Sequence, residues 1–179
     1  PEARIVNVDI DPVVVEAAKE FFFSSHEETT AVLTVNGIEY ISNLAERSIK
    51  SPLQNSVHAV VIDVDNKATS DSELIGPPPP FVQQNCLHDM IKCLFVANMN
   101  SLTPPMVIIN LVAREQSLRQ KTLSDIARNF QQVYVWQGSE DVNAVVFCFP
   151  HTVQPYNIDE HAKENEAYKG FLECLQRIK

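Results

Sequence analysis

Two nearly uninterrupted apolar runs, residues 57–62 and 105–112, restrict the fold of this chain more than any other feature of it. A strand with one face in water alternates apolar and polar side chains, whereas a continuous run of Val and Ile suits a strand covered on both faces. Between the runs, Leu87, Ile91, Leu94 and Phe95 recur at helical spacing, which predicts a helix over residues 81–98. A helix joining two buried strands requires a crossover connection, and therefore a parallel sheet.

The remaining segments fit the same plan. Residues 4–10 alternate as a strand does, and Asp11-Pro12 then supply a helix N-cap and a first helical residue with preset φ. Val14, Ala17, Ala18, Phe21 and Phe22 form the face of that helix expected to pack on the sheet. A second strand is expected over 31–35, closed by Asn36-Gly37, then a helix over 38–46 and a polar loop over 47–56. The long polar loop 64–76 leads into four prolines, 77–80, which stiffen the approach to the next helix. After the second apolar run the pattern predicts a helix over 118–130 and strands over 133–136 and 143–149. Those two strands lie too close around Gly138 for an intervening helix, so they pair antiparallel. The charged tail 159–179 is expected to turn Ala162, Tyr168, Phe171, Leu172 and Leu175 inward. The expected fold is α/β: a Rossmann-like sheet, mostly parallel with an antiparallel C-terminal hairpin, and helices on both faces.

A length of 179 residues is that of one domain, and the formal net charge is −9. The acidic balance argues against a nucleic-acid partner, because affinity for phosphate backbones comes first from clustered Lys and Arg. Cys86, Cys93, Cys148 and Cys174 form no CxxC pair and read as reduced, mostly buried thiols. The five histidines are scattered, so no metal site is expected. No stretch approaches the roughly 18 apolar residues of a membrane span, and no secretory-signal pattern opens the chain. A soluble, intracellular protein without membrane contact is the expectation.

In an open α/β sheet ligands bind beyond the carboxyl ends of the strands. Polar residues there are Asp9 and Asp11 after the first strand, Asn36 after the second, Asp63 and Asp65 after the third, and Asn110 with Arg114 at the fourth. Asp11 reads as a helix cap. Asp9 is suited either to accept both hydroxyls of a ribose or to serve as a solvated turn carboxylate. Asn36-Gly37 is either a bare turn or a site where a carboxamide meets an adenine edge. Asp63 and Asp65 either face a cationic group or are solvated loop acids. No G-x-S-x-G or comparable nucleophile motif is present.

Taken together, these motifs resemble a known family. Val8-Asp9-Ile10-Asp11-Pro12 resembles the acidic second-strand motif of class I S-adenosylmethionine-dependent methyltransferases, and Asn36-Gly37-Ile38-Glu39-Tyr40-Ile41 is similar to their D-G-x-x-Y-I segment. Three further segments are more discriminating: Val61-Ile62-Asp63-Val64-Asp65-Asn66-Lys67, Pro77-Pro78-Pro79-Pro80-Phe81-Val82, and Asn110-Leu111-Val112-Ala113-Arg114. They are similar to the spermidine-synthase-like C-terminal domain of the methyltransferase-like protein 13 family, the elongation factor 1 alpha lysine and N-terminal methyltransferases. The resemblance covers residues 5–149.

The resemblance implies a seven-stranded methyltransferase sheet and S-adenosylmethionine as cofactor. Asp9 would hold the ribose hydroxyls, Asn36 and Gly37 would meet adenine, and Asp63 and Asp65 would lie near the methionine end and the acceptor amine. The implied activity is methyl transfer to a protein amine, N-terminal or lysine, with a translation factor as substrate, a homodimer as an allowed assembly and the cytoplasm as location. Its alternatives are an aminopropyltransferase of the spermidine-synthase type and a non-catalytic binding module. The family has Glu where Asp9 stands and Asp where Asn36 stands. Its central first strand and Gly-rich turn would precede Pro1, so residues 1–179 are expected to be a single methyltransferase-like domain lacking its N-terminal part. Either an upstream segment completes that sheet, or neighbouring strands close over the gap.

Overall fold

The structure is a computed structural model, in which residues 4–22, 29–67, 70, 73–94, 104–138, 142–152 and 175–179 are described. Strand β1 (Ile5–Asp9) leads into helix α1 (Pro12–Phe21), and β2 (Thr30–Thr34) leads into α2 (Gly37–Lys50). A one-turn helix α3 (Pro52–Asn55) precedes β3 (Ala59–Ile62). A 3₁₀ turn (Pro79–Val82) precedes α4 (Gln84–Cys93), followed by β4 (Met106–Val112) and α5 (Gln116–Ala127). The chain finishes with β5 (Gln132–Trp136), β6 (Asn143–Phe149) and β7 (Leu175–Arg177).

β1 and β2 pair in parallel as a two-stranded sheet, with Asp9 opposite Thr34. The other strands form a five-stranded sheet in the order β3-β4-β6-β5-β7. Within it β3 and β4 are parallel, β6 runs antiparallel to both β4 and β5, and β7 runs antiparallel to β5. The α/β plan is therefore present, with parallel pairing in the first half and the expected antiparallel hairpin in the second. Among the described residues, no strand pairs with the second edge of β1 or of β3.

One face of the larger sheet is the core. Val107, Ile109 and Leu111 of β4 and Ala144, Val146 and Cys148 of β6 are fully buried there, against Ile41 and Ala45 of α2, Leu87 and Met90 of α4 and Ile126 of α5. The opposite face, with Ile108, Asn110, Val145 and Trp136, is half-buried. Among the described residues only one face of 57–62 is covered: Ile62 is 4% exposed but Val61 is 63% exposed. Side chains alternate across a strand, and the described helices α2, α4 and α5 contribute to a core on one side only.

Other expectations need correction. The helix over 38–46 runs on to Lys50, and the expected loop 47–56 contains α3. Ile41, Ala45 and Ser48 are buried at helical spacing, and the Ser48 hydroxyl donates to Asn55 O at 3.1 Å, so a polar residue continues the inward stripe. α1 buries Val15, while Val14, Phe21 and Phe22 of the expected packing face are exposed. The helix over 81–98 begins at Gln84, because the prolines hold Phe81 in the 3₁₀ turn; residues 95–98 lie outside the described residues. Of the tail, residues 153–174 also lie outside them, and β7 is a strand that no alternation in the sequence announced.

The loop after β3 is pinned to β4. Ile75 N donates to Val112 O at 2.9 Å and Val112 N to Gly76 O at 2.7 Å. A Cβ on Gly76 would sit 2.9 Å from Val64 O, a backbone atom that cannot swing aside. Gly76→Ala should therefore lower the urea midpoint, with a loss of about 1–3 kcal/mol, the range for forced overpacking. An unchanged midpoint would show that the loop yields.

Cys86, Cys93 and Cys148 are free and buried, as expected; Cys174 lies outside the described residues. Burial, with the nearby Asp89 charge, pushes the Cys86 thiol up to about 11 and the Cys93 thiol up to about 12, and burial raises Cys148 as well. Unfolded thiols ionise near 9.0, so above that pH the folded chain binds more protons than the unfolded one. Stability contributed by these thiols is complete below 9.0 and falls as pH rises through their folded values. Urea midpoints measured from about pH 8 upward should decline beyond that point, and should decline less in a Cys86→Ala, Cys93→Ala double variant.

Candidate functional site

Parallel pairing of β3 with β4 brings their carboxyl ends to one edge of the sheet. β5 points the same way as β4, since both are antiparallel to β6, so its last residue, Trp136, reaches that edge too. A hollow of about 650 Å³ opens there, and its lining includes Asp63, Ile108, Asn110, Trp136 and Val142. Inside it Asn110 Nδ2 donates to Asp63 Oδ1 at 2.9 Å. A neutral amide thus holds one carboxylate oxygen and leaves acceptor capacity on the other.

Asp65 does not share this hollow. Its Oδ1 accepts from Lys67 N at 2.8 Å, forming a turn in which Lys67 takes a φ of 50°. Asn66 Nδ2 donates to Leu74 O at 2.8 Å and secures the same loop. Of the two acids expected together, the fold places Asp63 in the hollow and uses Asp65 to shape the loop behind it.

A second group of polar residues stands at the ends of β1 and β2. Val35 N donates to Asp9 O at 2.9 Å, which sets Asp9 beside the segment that ends in Asn36. Asp9 Oδ1 accepts from Asp11 N at 2.8 Å, and Asp11 Oδ1 accepts from Val13 N at 2.9 Å, capping α1 as expected. Asn36 is no bare turn residue: its Oδ1 accepts from Ile38 N at 2.9 Å and Glu39 N at 3.5 Å and caps α2. The oxygen is thereby engaged, and the carboxamide N–H₂ is the part able to meet a ligand. Gly37 has a packing reason, because a Cβ there would lie 3.1 Å from the Phe81 ring.

Among the described residues no cluster of three His, Cys, Asp or Glu side chains could hold a metal ion, and no helix is long and apolar enough to cross a membrane. The pairing of Asn110 with Asp63 and the place of Trp136 were not legible in the sequence. Asn110 is marked there as a strand-end polar residue and as part of a family-like segment, but its partner is 47 positions away.

An α/β sheet with parallel strands, polar carboxyl ends and a reversed C-terminal hairpin defines the Rossmann-like fold of class I methyltransferases, and a solved structure shares it. The crystal structure of human methyltransferase-like protein 13 in complex with SAH superposes with a TM-score of 0.72 at 28% identity, covering 97% of this chain and 72% of that one. The chain is homologous over most of its length to the eEF1A lysine and N-terminal methyltransferases. It is 30% identical to the Xenopus laevis protein over 169 residues and 31% identical to the human one over 173 residues, 93% and 96% of this chain. A Drosophila melanogaster homologue is 26% identical over 170 residues. The chain spans 22% of the Xenopus relative and 23% of the human one. No family model matches it.

The capping role of Asn36 is open to measurement. Asn36→Ala should cost about 1 kcal/mol of stability through the lost cap, whereas Asn36→Asp keeps an acceptor and should stay within about 0.5 kcal/mol of the parent. Equal losses in the two variants, by urea unfolding, would exclude a capping role.

Proposed function

We propose that this chain takes part in S-adenosylmethionine-dependent methyl transfer to a protein amine, N-terminal or lysine. The observation that carries the reading is the Asp63–Asn110 pair in a hollow at the carboxyl edge of a methyltransferase-like sheet. The names of the relatives point to the same chemistry and to eEF1A as a substrate of those proteins.

The donor set fits an adenosyl ligand. Asp9 has one oxygen engaged by Asp11 N, and a carboxylate accepts several bonds, so a diol can be held by the other oxygen. Asn36 retains its N–H₂ for a ring nitrogen of adenine, Gly37 opens the helix beside it, and Asp63 lies toward the methionine end. When bound, S-adenosylmethionine supplies a methyl carbon activated by a sulfonium. This chain's own task is then to orient the acceptor nitrogen and leave it neutral. Asp63 receives the ammonium form and takes its proton, with Asp65 as a second acid on the adjoining loop. An α-amine, with pKa near 7.7–8.0, is roughly a tenth neutral at pH 7, while a lysine is neutral at roughly one part in a few thousand. An exposed N-terminus therefore asks less of Asp63 than a lysine does.

The net charge of −9 suits a cationic acceptor segment and is unsuited to nucleic acid. A translation factor as acceptor would place the reaction in the cytoplasm, and a homodimer is compatible with the reading. Incubating the protein with purified eEF1A and methyl-labelled S-adenosylmethionine should label the protein substrate, with kcat/KM about 100-fold lower for Asp63→Asn. A labelled polyamine formed from putrescine and the decarboxylated cofactor, without labelled protein, would favour the spermidine-synthase-like alternative. No cofactor binding by calorimetry would favour a non-catalytic module.

A further inference from the structure

Asn110 sits where strand chemistry does not ask for it. It pairs with Val145 of β6 one residue past the last β3–β4 pair, Ile62 with Ile109, and shares the half-buried face with Ile108, where β-branched or aromatic residues fit and Asn is disfavoured. Its side chain crosses to the neighbouring strand and donates to Asp63 Oδ1 at 2.9 Å. A hydrogen bond to a carboxylate restricts its rotation and leaves lone pairs on the second oxygen. The choice of donor matters. Lys or Arg at this position would neutralise Asp63, and Asp would repel it, whereas an amide fixes the carboxylate and leaves its charge unopposed.

We propose that Asn110 is a positioning residue that aligns the Asp63 carboxylate to receive a charged primary amine in the hollow at the strand ends. The proposal rests on the methyl-transfer reading only in taking that amine to be the methyl acceptor. Trp136 is the single tryptophan of the chain and lines the same hollow, so its fluorescence reports occupancy without any turnover.

The probe is the peptide Gly-Gly-Lys-Gly amide with free amines, compared with the same peptide acetylated at both amines. Each is titrated into the full chain while Trp136 emission is followed. The parent protein should bind the free-amine peptide and discriminate against the acetylated one. Asn110→Leu, which keeps the apolar face filled, and Asn110→Ala should weaken free-amine binding about tenfold, with acetylated-peptide binding unchanged. In methyl transfer the same variants should lower kcat/KM for the acceptor by a similar factor. Wild-type affinity in both variants, equal loss of both peptides, or no discrimination by the parent would each overturn the proposal. Asn110-dependent discrimination without any methyl transfer would instead reject the methyl-transfer reading and leave the positioning role standing.

Discussion

Ile62 lies opposite Ile109 in a parallel ladder, and the candidate site depends on that register. It sets Asp63, one residue beyond the end of β3, within a hydrogen bond of Asn110 on β4. A slip of one residue would send Ile109 to the open face and Asn110 into the apolar core, which binds the register tightly. The same core that buries Val107, Ile109 and Leu111 therefore decides which polar groups meet at the strand ends. Gly76, folded back onto Val112, closes the loop that follows Asp63.

The strand-end residues serve the fold and the chemistry together. Asp11 and Asn36 satisfy the first amides of α1 and α2, and Asp65 satisfies a turn. Asp9 and Asp63 keep acceptor capacity beyond their structural bonds. Acidic tips are thus affordable where each is at least partly paired.

The sheet is asymmetric. Among the described residues one face is packed, while the other leaves Val61 largely exposed and opens into the hollow. Hollow and core are two sides of the same strands, so the rigidity of the packed side is transmitted to the groups on the open side.

Much of the plan was readable in the residues alone. Apolar runs, alternation and period-3.6 spacing located β1 to β6 and helices α1, α2, α4 and α5, Asp11-Pro12 announced a cap, and the polar residues after apolar runs marked the strand ends. These features are local, set by backbone sterics, capping and side-chain alternation, and the motifs at Asp9, Asn36, Asp63 and Asn110 pointed to the methyltransferase fold. Tertiary structure alone decided which face of residues 57–62 is covered, where α2 ends, that β7 pairs with β5, and that Asn110 rather than Asp65 is the neighbour of Asp63. Contacts between residues 47 apart depend on register and on which helices reach the sheet, and no periodicity within one segment carries that information.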